Sequence, residues 1–283
     1  MDKRSTEVSR LNAQLAEAVS WLRQADGLLI AAGAGLGIDS GLPDFRGPGG
    51  FWRAYPALGR ARIAFEAIAN PAAFAQDPRL AWGFYGHRLQ LYRQTTPHAG
   101  FAMLRGMAKD MAHGAFVFTS NVDGQFQKAG FAGERVCEVH GSIHHLQCSA
   151  GCGERIWSAD DFQPEIDAEN CRLLGELPTC PDCGALARPN ILMFGDWQWI
   201  ARRSELQEQR LQQWLNAVDR LVVIEIGAGL QVPTVRRFAE SCGGRLIRIN
   251  PGEPAVPPGG KACALALGGL AGIERLRAAL ADD

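Results

Sequence analysis

The chain has 283 residues, with 29 basic and 30 acidic side chains, a formal net charge of −1, 47% apolar residues and 21% charged ones. This composition excludes a disordered chain, which would be poorer in apolar residues and more highly charged. It also leaves no basic surplus for non-specific nucleic-acid binding. In chain order, Met1 to Asn12 is polar and mixed in charge with no apolar core, so no signal peptide is expected. Leu11, Leu15, Ala18, Val19 and Leu22 recur at helical spacing and predict an amphipathic helix over 8–24. The run from Gly27 to Gly33 predicts a buried strand entering a tight loop. Phe116 to Phe118, Leu221 to Ile226 and Arg245 to Ile249 predict three more strands. The stripe Leu211, Trp214, Leu215 and Val218 predicts a helix just before the third strand.

Strands alternating with helices predict an α/β fold with a doubly wound parallel sheet. Two stretches break the alternation. Residues 46–95 carry Pro/Gly turns and short helical pieces, and residues 146–187 carry paired cysteines and few strand signals. Both are expected to be insertions that together form a smaller second domain. The larger domain would then comprise about 10–45, 96–145 and 188–283, the whole chain working as a single unit. The longest uncharged apolar run, Gly27 to Ile38, is shorter than the roughly 20 residues of a bilayer span. A soluble, cytoplasmic protein is therefore expected. Disulfides are rare in that compartment, so paired cysteines read first as metal ligands.

Cys148-x3-Cys152 and Cys180-x2-Cys183 are two closely spaced pairs on turn-rich segments. Each pair can offer two thiolates, and four thiolates close a tetrahedral zinc site with no open position, which makes the expected metal structural. Cys137, Cys171, Cys242 and Cys263 stand alone and read as small packing residues. His144 and His145 lie beside a site that is already full and read as ordinary polar residues.

Gly33-Ala34-Gly35 follows the first strand, where backbone N–H groups can face a pyrophosphate or simply make a tight turn. Ile38 stands where the dinucleotide fingerprint has its third glycine, so the loop alone leaves both readings open. The next residues, Asp39 to Gly47, pack two acids, an arginine and an aromatic into a glycine-flanked loop, more than a turn requires. Gly227-Ala228-Gly229 offers a second glycine approach after a later strand.

The string from Gly33 through Asp44-Phe45-Arg46-Gly47 resembles the NAD-binding signature of the sirtuin (Sir2) family. Thr119-Ser120-Asn121-Val122-Asp123-Gly124 resembles that family's Thr-Gln-Asn-Ile-Asp-Gly, and Val139-His140-Gly141 its catalytic histidine motif. The four cysteines resemble its zinc module. Arg188 to Asp196 resembles its Arg-Pro-x-Val-Val-x-Phe-Gly-Glu segment, and Gly227 to Val232 with Arg248 to Asn250 its late cofactor loops. The resemblance covers about residues 10–275.

It implies a Rossmann-like sheet and NAD-dependent removal of acyl groups from lysine on proteins or peptides, releasing nicotinamide and O-acyl-ADP-ribose. It implies His140 as general base, which suits an imidazole titrating near neutrality. Asn121 would orient ribose or water, and Asp123 would bind the nicotinamide amide. Asp44, Phe45 and Arg46 would line the reacting sugar. Gly33, Ala34, Gly35, Ser120, Gly227, Ala228, Gly229 and Asn250 would hold the rest of NAD, and Phe194 and Gly195 would border the lysine tunnel. Tyr85 and Arg88 share a helix face and resemble the Tyr-x-x-Arg pair of class III sirtuins, which implies preference for acidic acyl groups. The chain departs from the family at Gly37, Ser120, Phe126, Ala228 and Gly229, where it usually has Ser, Gln, His, Thr and Ser. The departures at Gly37, Ser120, Ala228 and Gly229 raise ADP-ribosyl transfer to protein, or NAD hydrolysis, as the alternative on the same scaffold. Oligomeric state is not legible in the sequence.

Overall fold

The computed structural model describes residues 3–43 and 47–281. Six strands form an all-parallel sheet: β1 Gly27–Ala32, β2 Ala115–Thr119, β3 Val136–Glu138, β4 Leu221–Ile226, β5 Arg245–Ile249 and β6 Ala262–Leu265. Their spatial order is β6-β5-β4-β1-β2-β3, the doubly wound arrangement expected from the sequence. The chain leaves β1 toward one edge and returns beside β1 to build the other half. The switch point therefore lies between β1 and β4.

The sheet is buried on both faces because alternate side chains feed two cores. Leu28, Ile30 and Ala32 of β1 pack with Leu15, Ala18 and Leu22 of the first helix and with Ile273 and Leu276 of the last. Leu29 and Ala31 point the other way, toward Leu211 and Trp214 of helix Arg202–Ala217 and Val235 and Ala239 of helix Thr234–Ser241. The first helix spans Lys3–Gln24, longer at its start than the predicted 8–24, since its first turns lack the apolar periodicity that marks the rest. Strands β3 and β6 escaped the sequence reading. They are short and carry Cys and Ala in place of a run of β-branched or aromatic residues.

A second core gathers residues of both predicted insertions together with Leu42, Val122, Ile143, Ile191 and Met193 from outside them. Helix Pro78–Gln94 starts at Asp77, whose Oδ1 accepts from the Leu80 amide at 3.1 Å, with Pro78 in the first turn. Asp77 also pairs with Arg172 at 2.8 and 3.1 Å, tying the helix to the hairpin of Ile166–Asp167 and Arg172–Leu173. Trp82, Phe84, Tyr85 and Leu89 of this helix pack with Phe51, Ile143 and Leu146. Gly141–Cys148 is the central strand of a three-stranded antiparallel sheet, flanked by Ile156–Ser158 and Ala187–Ile191. No helix among the described residues is long and apolar enough to cross a membrane.

Candidate active site

Register brings the sequence-predicted residues to one edge. Ala32 at the end of β1 lies opposite both Thr119 of β2 and Ile226 of β4. Ile226 lies opposite Ile249 of β5, and Thr119 opposite Glu138 of β3. Five strands thus end at one level, and Gly33, Ser120, Val139, Gly227 and Asn250 all begin loops there. This is the carboxyl edge, where ligands of open α/β sheets bind, and the glycine loops straddle its switch point.

The loops are tied together. The Gly33 amide donates to Ile226 O at 2.9 Å and the Gly35 amide to Gly227 O at 3.1 Å. Gly33 and Gly227 are required by this approach. A Cβ on Gly33 would sit 2.7 Å from Gly227 O, and one on Gly227, which has φ +63°, would sit 2.5 Å from Leu36 N. Asn250 Nδ2 donates to Ala228 O at 3.0 Å. Arg248, grouped by sequence with the late cofactor loop, instead lies within β5. It pairs with buried Glu225 at 2.7 and 2.8 Å and with Glu240 at 2.6 Å, supporting the loop from beneath.

Asn121 is buried, donates its backbone amide to Thr119 Oγ1 at 3.0 Å and donates from Nδ2 to Gly33 O at 3.1 Å. It therefore joins the second loop to the first. Asp123 is buried and accepts the Gln125 amide at 2.9 Å. Its carboxyl is pushed up to about 6, first by burial and also by Glu138, against the Gln125 bond and Arg88. His140 is half-buried between β3 and the strand Gly141–Cys148, and burial holds its imidazole below the ordinary value, which keeps it neutral at pH 7. The following Gly141 has φ +79°, and a Cβ there would sit 2.1 Å from Asn190 O.

Leu192 donates its amide to His140 O at 2.9 Å and Phe194 donates its amide to Ala69 O at 2.9 Å. The segment that carries Phe194 and Gly195 is anchored by Arg188 and Asp196, a buried two-bond ion pair at 2.8 and 2.9 Å. Phe194 is partly exposed and its ring meets Phe65 at 5.9 Å; Phe65 meets Phe84, and the Arg88 guanidinium lies 5.2 Å from the Phe84 ring. Ring contacts thus connect the predicted tunnel residue to Arg88. Arg88 donates from Nε and Nη2 to Tyr92 at 3.0 and 2.7 Å, while Tyr85 is buried against Phe74. Asp44, Phe45 and Arg46 lie outside the described residues.

The departures have physical reasons in two places. A side chain at Gly37 would meet Leu42 Cδ1 at 2.8 Å, so Leu42 fills the space a serine would need. Phe126 packs with Phe101 and Phe131 at 5.0 and 5.2 Å, an apolar cluster in place of a polar ring. At Gly229, by contrast, a Cβ would find only Glu253 Oε2 at 3.9 Å.

The four cysteine sulfurs lie within 4.8 Å of one another, with Cys148–Cys183 and Cys152–Cys180 at 3.6 Å. A zinc tetrahedron with bonds of about 2.3 Å needs sulfurs about 3.8 Å apart, so the donor set fits structural zinc. The other four cysteines are free; Cys137, Cys171 and Cys263 are buried and Cys242 is half-buried. Three supporting residues were missed in the sequence. Tyr92 lies one helical turn from Arg88, a spacing that was available. Glu138, two residues before His140, is held by Arg203, Ser204 and Gln207. His144 donates from Nε2 to Asp123 O at 3.0 Å, which gives it a local task beyond that of an ordinary polar residue.

Fold and site together define a doubly wound α/β protein with a dinucleotide-type crevice and a four-thiolate module. The family model described as Sir2 matches residues 33–234, and the chain belongs to the Sir2 family. An NAD-dependent protein deacylase of Pyrococcus furiosus is 31% identical over 256 residues, spanning 89% of this chain and 88% of that one. The mitochondrial NAD-dependent protein deacylase sirtuin-5 of Danio rerio is 32% identical over 208 residues, 68% of this chain and 65% of that one. Among solved structures, a Sir2 homologue in complex with NAD superposes with a TM-score of 0.69 at 24% identity, covering 94% of this chain and 93% of that one.

Proposed function

We propose that the protein is an NAD-dependent protein-lysine deacylase that releases nicotinamide and O-acyl-ADP-ribose in the cytoplasm. The observation that carries this reading is the convergence of Asn121, Asp123, His140 and both glycine loops on one carboxyl edge at the switch point. NAD, when bound, supplies a ribose carbon open to attack by the acyl oxygen. Gly33, Ala34, Gly35, Ser120, Gly227, Ala228, Gly229 and Asn250 would hold it, largely through backbone groups, and the sequence resemblance assigns its sugar to Asp44, Phe45 and Arg46. Asn121 orients the ribose or a water. Asp123 receives the nicotinamide amide, and His140, neutral at pH 7, takes the proton of a ribose hydroxyl at its ring nitrogen.

Acylated lysine on a protein or peptide enters past Phe194 and Gly195, whose segment can pair with an extended backbone. Arg88, with Tyr92 and Tyr85 beside it, favours an acyl chain ending in a carboxylate. The large lobe is 10–45, 96–145 and 188–283, the small lobe 46–95 and 146–187, and the two act as one catalytic unit. A second reading, ADP-ribosyl transfer or NAD hydrolysis, is favoured by the departures at Gly37, Ser120, Ala228 and Gly229. His140→Ala tests the proposal. Turnover of an acyl-lysine peptide with NAD should fall at least 100-fold, in the range of a lost general base, about 10²–10⁴. Full turnover in that variant would contradict it.

A further inference from the structure

A groove of about 760 Å³ lies between helix Arg202–Ala217 and the strand Ile156–Ser158. It shares no residue with the crevice described above. Arg155, Arg202, Arg203 and Arg210 line it, reaching in from both sides, in a chain whose net charge is −1. Glu154 also lies on its wall, and Asp182 pairs with Arg155 and Glu138 with Arg203, each at 2.5 Å, so four guanidinium groups against three carboxylates leave a net of one positive charge, with Arg202 and Arg210 exposed on the wall.

Two polar atoms at this groove are buried without a hydrogen-bond partner among the described residues, Arg203 Nη1 and His145 Nδ1. Arg203 spends its other terminal nitrogen on Glu138 at 2.5 Å, which fixes the guanidinium while leaving Nη1 unused. Gln207 is likewise fixed by Glu138, accepting its amide at 3.0 Å.

We propose that this groove is a second ligand site, for a small molecule carrying a chain of phosphate groups. Guanidinium forks converging from two elements match a multi-oxygen anion better than a single carboxylate. The volume lies within the roughly 300–1,000 Å³ of small-molecule sites. The groove contains none of the residues that would touch NAD or acyl-lysine, although Arg203 and Gln207 on its wall also hold Glu138.

The test is calorimetric titration of the full-length protein with inorganic triphosphate, and separately with ATP, at matched ionic strength. The protein is first saturated with ADP-ribose so that the NAD crevice is filled. A single saturable site is expected for both probes. Triphosphate binding equal to ATP assigns the recognition to phosphate alone; tighter ATP binding adds a nucleoside contact. The double variant Arg202→Glu, Arg210→Glu alters two exposed side chains, and its melting temperature should match the parent. It should weaken both probes at least tenfold. No saturable binding, or unchanged affinity in the double variant, would each overturn the proposal.

Discussion

Asp123→Asn separates the energetic cost of the site from its chemistry. Asp123 is only 7% exposed, and its carboxyl is displaced from the ordinary 3.8 to about 6, mainly by burial. The folded state therefore holds this proton more tightly than the unfolded chain does. Stability from this group is fully present below about pH 4, is lost as pH rises toward 6, and stays lost above it. Two units at 1.36 kcal/mol each set the cost at about 3 kcal/mol at pH 8. Asparagine keeps the oxygen that accepts the Gln125 amide but carries no charge to desolvate. The variant should match the parent near pH 4 and exceed it by up to about 3 kcal/mol at pH 8, while losing NAD-dependent turnover. Urea unfolding at pH 4, 6 and 8 at one ionic strength reads the difference. A variant equal to or less stable than the parent at pH 8 would refute the reasoning.

Chelation of the protein should release a single zinc ion and lower the melting temperature, and Cys180→Ser should bind no zinc; unchanged melting in chelator would argue against a structural metal. Gly227→Ala forces a Cβ into Leu36 N and a left-handed backbone, so it should cost more than about 3 kcal/mol. Gly229→Ser meets open space and should change stability by less than about 0.5 kcal/mol. Its effect on the KM for NAD tests whether the absent hydroxyl matters. Arg88→Met should reduce succinyl-peptide turnover more than acetyl-peptide turnover, and equal rates before and after the substitution would remove the acidic-acyl proposal.

The large sheet was legible because its central strands are continuous apolar runs ending in glycine. What the sequence could not carry was register: that Ala32, Thr119, Ile226 and Ile249 end level, which is what assembles the crevice from distant segments. The four-cysteine cluster followed from spacing alone, since two knuckles have few ways to close. Arg248 shows where local pattern misleads. It sits two residues before Asn250, but it still lies within β5 and pairs with Glu225, while Asn250 lies just past the end of the strand and reaches the loop. The role of Tyr92 at Arg88 and of Arg203 at Glu138 depends on side chains meeting across a helix turn and between elements. The first was open to inspection by spacing and the second was not.

The central claim is coupling between NAD cleavage and lysine deacylation at the edge that carries His140. Mass spectrometry of a reaction with NAD and a panel of acyl-lysine peptides tests it most directly. The account predicts equal amounts of nicotinamide, deacylated peptide and O-acyl-ADP-ribose, with formation of the latter two at least 100-fold slower in His140→Ala. Nicotinamide released without deacylated peptide would contradict it and point to ADP-ribosyl transfer or NAD hydrolysis.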